Sequence, residues 1–261
     1  MIRGITTRNG VNCMKPAIAV WVSCGAASAV ALEETIKQYG ETHTIRAINN
    51  PIAEEDEDNQ RFMADVGKWL GIEIERAVNS KYPAQSCVEV WRNRQFMSGP
   101  NGAPCTQELK KKARQQWEKH NHVDFHVLGF TSEEAHRHKQ FTMTERDNLL
   151  PVLINAGLSK SDCYIRLMDA GIMLPRIYRM GYPNANCIGC VKATSPTYWN
   201  HVRKMHPDVF AHRAEQSREI GARLVRHKGE RIYLDELPPG AKGRPMKSMD
   251  FECGIFCEEN I

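Results

Sequence analysis

Two groups of cysteines give this chain its chemistry. Cys253 stands in Glu252-Cys253-Gly254-Ile255-Phe256, close to the end of the sequence, with Cys257 four positions later. A thiol on a terminal segment can reach a substrate bound elsewhere and, as a thiolate, attack it. Upstream, Cys187-Ile188-Gly189-Cys190 sets two thiols two residues apart, the spacing with which two thiolates hold one zinc ion or one iron-sulfur cluster. Such sites usually take four ligands, and Cys105 is the first choice for a third. It lies directly before a predicted helix carrying Lys110, Lys111 and Lys112, where the helix dipole and positive charge both favour a thiolate. Cys13, Cys24 and Cys87 read as buried apolar side chains, and Cys163 as part of the core face of an amphipathic helix.

The elements that must position these thiols follow from apolar patterning. The apolar run 17–22 predicts a buried first strand, and small residues predict a helix over 28–39. Strands are expected at 44–48, 72–78 and 123–128. Between them fall a helix carrying Phe62, Val66, Trp69 and Leu70, closed by Gly71, and a basic helix over 106–120. This β-α-β order implies an α/β fold with a parallel central sheet flanked by helices. Thr131-Ser132-Glu133-Glu134 has capping-box spacing for a further helix. Helices over 161–170, 196–204 and 207–223 make the later part mainly helical. One α/β unit is therefore expected over 1–236, with a helical, cysteine-containing part from about 151. A Pro/Gly-rich linker at 237–245 then leads to a mobile tail at 250–261.

The first strand delivers the chain into Ser23-Cys24-Gly25-Ala26-Ala27-Ser28. Small residues at a strand-to-helix turn let an anion approach the backbone amides and the positive helix end, so Ser23, Gly25, Ala26 and Ser28 are candidate phosphate- or sulfate-binding positions. An ordinary tight turn is the alternative. The surplus of 35 basic over 31 acidic residues, net +4, suits an anionic ligand without requiring nucleic acid. The basic runs 110–114 and 223–228 read as solvated faces, as does the acidic start 54–58, whose other reading is a magnesium site. Tyr198, Trp199 and Phe210 read as core rather than a stacking platform for nucleic acid. Nine cysteines, an odd number, fit reduced thiols, and no apolar run approaches the roughly 20 residues of a membrane span. The expected location is the cytoplasm, away from membranes, with the oligomeric state open between a monomer and a homo-oligomer.

In combined order, these segments resemble the phosphoadenosine and adenosine phosphosulfate reductase family, within the PP-loop, adenine-nucleotide α-hydrolase-like superfamily, over most of the chain. The matching pieces are the loop 23–28, Gly102-Ala103-Pro104-Cys105 with Lys110, the segment Gly129 to Glu134 and Arg137, Gly181-Tyr182 before Cys187 and Cys190, and Glu252-Cys253-Gly254. The resemblance implies an adenine nucleotide on the first loop, with Glu134 and Arg137 in the anion-binding segment. It also implies a [4Fe-4S] cluster on Cys105, Cys187 and Cys190, with zinc the alternative, and Cys253 as nucleophile toward the nucleotide's sulfur. A thioredoxin-like thiol would release sulfite. Thr106 stands where the family carries a second cysteine, and Phe256 where it usually carries histidine. An incomplete ligand set admits an open iron, as in iron-sulfur-dependent sulfurtransferases that thiolate tRNA, with a DNA- or nucleotide-modifying protein a related reading. Alternatively Cys253 and Cys257 join Cys187 and Cys190 in a structural site. A non-catalytic nucleotide-binding module is the third reading.

Overall fold

β1 (Ala17–Trp21) is apolar at every position because both of its faces are covered. Ile18, Val20 and Val22 point to one side and Ala19 and Trp21 to the other, the alternation a strand imposes. The computed structural model describes residues 15–100 and 102–246. From β1 the chain passes through α1 (Ala26–Tyr39), β2 (Thr44–Asn49), α2 (Asp58–Leu70) and β3 (Ile74–Arg76), then α3 (Cys87–Arg94). A π-helical stretch, Thr106–Lys112, runs straight into α4 (Ala113–His120), followed by β4 (Phe125–Val127). Next come α5 (Ala135–Thr144), β5 (Leu149–Leu150), α6 (Val152–Asn155), α7 (Lys160–Asp169), α8 (Arg176–Arg179), α9 (Pro196–Met205) and α10 (Pro207–Ile220). A hairpin of β6 (Val225–His227) and β7 (Glu230–Ile232) completes the described elements.

The five strands of the central sheet lie in the order β3-β2-β1-β4-β5, and every pairing is parallel, as the β-α-β pattern requires. β1 pairs Val20 with Ala47 of β2 and with Val127 of β4, so its neighbours flank it on opposite sides. One core joins the Ile18 and Val20 face to α1, α2, α6 and α7 through Phe62, Val66, Leu153 and Leu167. A second joins Trp21 and Ile48 to Trp117 and Phe141. A third lies away from the sheet and is built by α3, the residues around Cys105 and the helices α8 to α10. Among the described residues no helix is long and apolar enough to cross a membrane.

Several sequence expectations change on folding. The third strand shortens from seven residues to Ile74–Arg76, because only these pair with β2. The basic run at 110–114 is not a solvated face: Lys110 and Arg114 are both buried, and burial together with Arg146 pushes the Arg114 guanidinium down to about 10. The acidic stretch is likewise used internally. Asp56 is buried against Arg176, and Asp58 accepts from Arg61 and from the Arg176 backbone N–H. Tyr198, Trp199 and Phe210 are core. The segment 237–245 is tied to the start of α9: the Asn200 side chain donates to the Pro238 and Ala241 carbonyls, and the Gly243 N–H donates to Thr197 Oγ1. A Cβ on Gly243 would lie 2.6 Å from Pro196 Cδ, so this stretch packs closely rather than swinging freely.

Candidate functional site

The first site gathers at the C-terminal ends of β1, β2 and β4. Because β2 and β4 leave β1 in opposite directions, their loops part there and open a crevice, the place where open parallel sheets bind ligands. Ser28 closes the loop 23–28 on itself: its Oγ accepts the Ser23 N–H at 3.0 Å and donates to the Gly25 carbonyl at 2.9 Å. Ala26, Ala27 and Ser28 form the first turn of α1, so their amides precede the helix's own hydrogen-bond ladder. Gly129, just beyond β4, presses against this turn. A Cβ there would stand 2.7 Å from Ser28 N and 2.9 Å from Ala27 C, which explains why the position is glycine.

The crevice is walled by this loop, Asn49, Asn50 and Gly129, and three cations enter it: Lys110, Arg137 and Lys160. Lys110 Nζ lies 3.8 Å from Glu55, a carboxylate whose pKa burial raises against the pull of Lys110. Lys160 Nζ donates to Asn184 Oδ1 at 3.0 Å, which ties α7 to the segment preceding Cys187. Of the sequence-predicted positions, Ser23, Gly25, Ala26, Ser28 and Arg137 all line the crevice. Glu134 is not among its lining residues. It accepts the Thr131 N–H and hydroxyl in a capping box and bonds Arg137, so it orients the cation instead of meeting the ligand.

The second site is the thiol cluster of the third core. Cys87, Cys105, Cys187 and Cys190 are all buried in it as free thiols. Cys87 is the first residue of α3, capped by Ser86, and shares its core with Cys105 and Cys187. The neighbouring Cys87, with Lys192 and Lys110, holds the Cys105 thiol below its ordinary pKa against burial, while Cys87 itself is pushed up. Cys187 and Cys190 sit in a turn that needs glycine: Gly189 has φ +69°, and a Cβ there would lie 3.1 Å from Val209 Cγ1. Tyr198 fixes the turn by accepting the Cys190 N–H at 2.8 Å.

Glu54 joins these parts. Its carboxylate accepts the Ser86 hydroxyl and the Cys87 N–H, both at 2.7 Å, and its carbonyl accepts the Ile188 N–H at 2.9 Å. Glu55, the next residue, faces the crevice beside Lys110. The thiol cluster and the crevice are thus built on adjacent residues of one loop. Among the described residues, no three His, Cys, Asp or Glu side chains already stand at ion-coordinating spacing. The donor set nevertheless fits a metal centre chemically: four buried thiols with Lys110 and Lys192 acting on one of them and a buried Arg213 acting on others.

The chain matches no family model and no curated protein. Its site is therefore read from its own geometry. Cys253, Cys257 and Cys13 lie outside the described residues. Cys163 is core, its thiol pushed up to about 11 by burial, as its amphipathic helix predicts. Cys24 is buried beside the crevice, with Asn49, Lys110 and Glu55 around it. Sequence reasoning missed Cys87, Lys160 and Arg213. Only Cys87 left a signal: Ser86 and Glu89 have capping-box spacing, which puts Cys87 at a helix start, as Cys105 is.

Proposed function

We propose that this protein is a sulfonucleotide reductase of the phosphoadenosine or adenosine phosphosulfate type, acting on an adenine nucleotide in the crevice. The observation that carries the reading is the convergence of the loop 23–28 with Lys110, Arg137 and Lys160 at the sheet's switch point. Amides at a helix start and three cations suit a ligand bearing phosphate and sulfate together. Arg137, steadied by Glu134, would hold the anion by paired N–H donors, while Lys110 and Lys160 would act as point charges.

In this reading the Cys253 thiolate attacks the sulfur, the bond from sulfur to the phosphate oxygen breaks, and the nucleotide leaves with that oxygen. A thioredoxin-like dithiol in the cytoplasm then reduces the cysteine S-sulfonate, becomes a disulfide and releases sulfite. A [4Fe-4S] cluster on Cys105, Cys187 and Cys190, when bound, supplies a redox-capable, charged group next to the crevice.

Calorimetric titration with both sulfonucleotides tests the crevice. Arg137→Ala is expected to weaken binding by roughly 10- to 100-fold, the loss of a charge-assisted hydrogen bond. Single-turnover release of sulfite is expected from the wild type and not from Cys253→Ala. Failure of the wild type to bind either nucleotide overturns the reading. Binding without sulfite release turns it toward sulfur transfer or a non-catalytic module.

A further inference from the structure

The proposed cluster has three assigned ligands, and the thiol core holds a fourth cysteine. We propose that Cys87 is the fourth thiolate of a metal centre formed with Cys105, Cys187 and Cys190, so that neither Cys253 nor Cys257 is a ligand. The inference rests on the reading that this core carries a metal centre.

Common burial carries it first. Cys87, Cys105, Cys187 and Cys190 belong to one core, and all four are between 2% and 8% exposed there. The second support is Glu54, whose side chain grips the start of α3 while its carbonyl grips the turn at Ile188. Those two bonds fix Cys87 relative to the Cys187–Cys190 turn whether or not a metal is present. The third is charge. Arg213 is 3% exposed, stacks on Trp91 at 4.3 Å and lies beside Gly189 in the turn. Its Nε has no hydrogen-bond partner, and it interacts electrostatically with Glu54 first and then with Cys87 and Cys187. A buried guanidinium calls for negative charge around it, of which the Glu54 carboxylate is one source. Four thiolates around a zinc ion or a [4Fe-4S] core carry net negative charge, which free thiols do not.

Cys87 therefore supplies the thiolate that Thr106 cannot. Metal entry would form metal–sulfur bonds and release the thiols' protons. The terminal cysteines would then be left for attack on substrate.

The full chain, purified without oxygen, would be reconstituted with ferrous iron and sulfide, and in parallel with zinc. Iron, acid-labile sulfide, zinc and the visible spectrum would be measured for wild type, Cys87→Ala, Cys87→Ser and a Cys253→Ala/Cys257→Ala double variant. Wild type and the double variant are expected to load equally. Cys87→Ala should release metal to a chelator at least about tenfold more readily, since even an outer-shell change costs that much. Cys87→Ser preserves side-chain size, so it covers the case in which the alanine variant fails to fold; it should load less or show an altered spectrum. Cys87 variants that load and absorb like wild type, or a double variant that loses its metal, overturn the proposal. So does a wild type that takes up neither iron-sulfide nor zinc. Nucleotide titration of the same preparations separates the two ideas: binding without metal removes the centre and keeps the crevice, whereas metal without binding does the reverse.

Discussion

Gly129 shows how one missing side chain shapes the crevice. A Cβ there would meet backbone atoms of Ala27 and Ser28 rather than the end of a flexible side chain, so the loop itself would have to move. Gly129→Ala is expected to cost about 1–3 kcal/mol of stability. It should also weaken nucleotide binding, measured by denaturant melts alongside titration; unchanged binding would show that the loop tolerates displacement. His126 makes a second point at this scale. Buried in β4, it accepts the Trp21 indole N–H through Nδ1 at 3.1 Å. Burial, with Arg146 and Arg114 nearby, pushes its pKa from 6.5 down to about 3. The unfolded chain therefore binds a proton below pH 6.5 that the folded protein refuses until about pH 3, so stability falls as the pH drops through that window. His126→Gln should flatten this slope in urea melts followed between pH 7 and pH 4.

The π-helical stretch Thr106–Lys112 is the element with the largest consequence. It runs from Cys105 to α4 with a wider turn than an α-helix, and such turns concentrate at functional sites. Four consecutive residues of this stretch divide their work: Glu108, Leu109 and Lys110 are buried, whereas Gln107 is exposed. Lys110 reaches Glu55 inside the crevice, and Glu108 bonds Arg94 and Lys112. Removing one partner of a buried pair leaves the other charged and desolvated, so Lys110→Met should destabilise the protein by about 3–5 kcal/mol. Glu55→Gln in the same chain should recover part of that loss in a double-mutant cycle. Additive losses would mean that the pair is not coupled.

At the scale of the molecule, the thiol core and the crevice meet at the loop that carries Glu54 and Glu55. The first residue braces the thiol core, and the second faces the crevice. Glu54→Ala should thus lower metal affinity by roughly 10- to 100-fold although Glu54 is no ligand. A loaded wild type should melt well above the metal-free chain, because a metal held only by the folded state stabilises it. Equal melting of loaded and metal-free protein would count against a centre inside the third core.

Local pattern made much of this legible in the sequence. The apolar run of β1, the small-residue turn after it, the Thr131–Glu134 capping box and the Cys187–Cys190 spacing each depend on neighbours in the chain, and the parallel sheet follows from their order. β5 was not legible, since two residues paired to β4 carry no periodic signal. Nor was the burial of Lys110 and Arg114, whose charges predict a solvated face until Glu55, Glu118 and Glu145 are brought beside them. Local order in the chain already dictates the layered α/β plan and the small-residue loop that walls the crevice. Tertiary structure alone decided that Lys110, Arg137 and Lys160 meet the loop 23–28, that Arg213 lies buried beside the Cys187–Cys190 turn, and that Cys87 shares a core with Cys105 and Cys187. The physical reason is distance along the chain: those partners are joined by packing between elements, which no local spacing encodes.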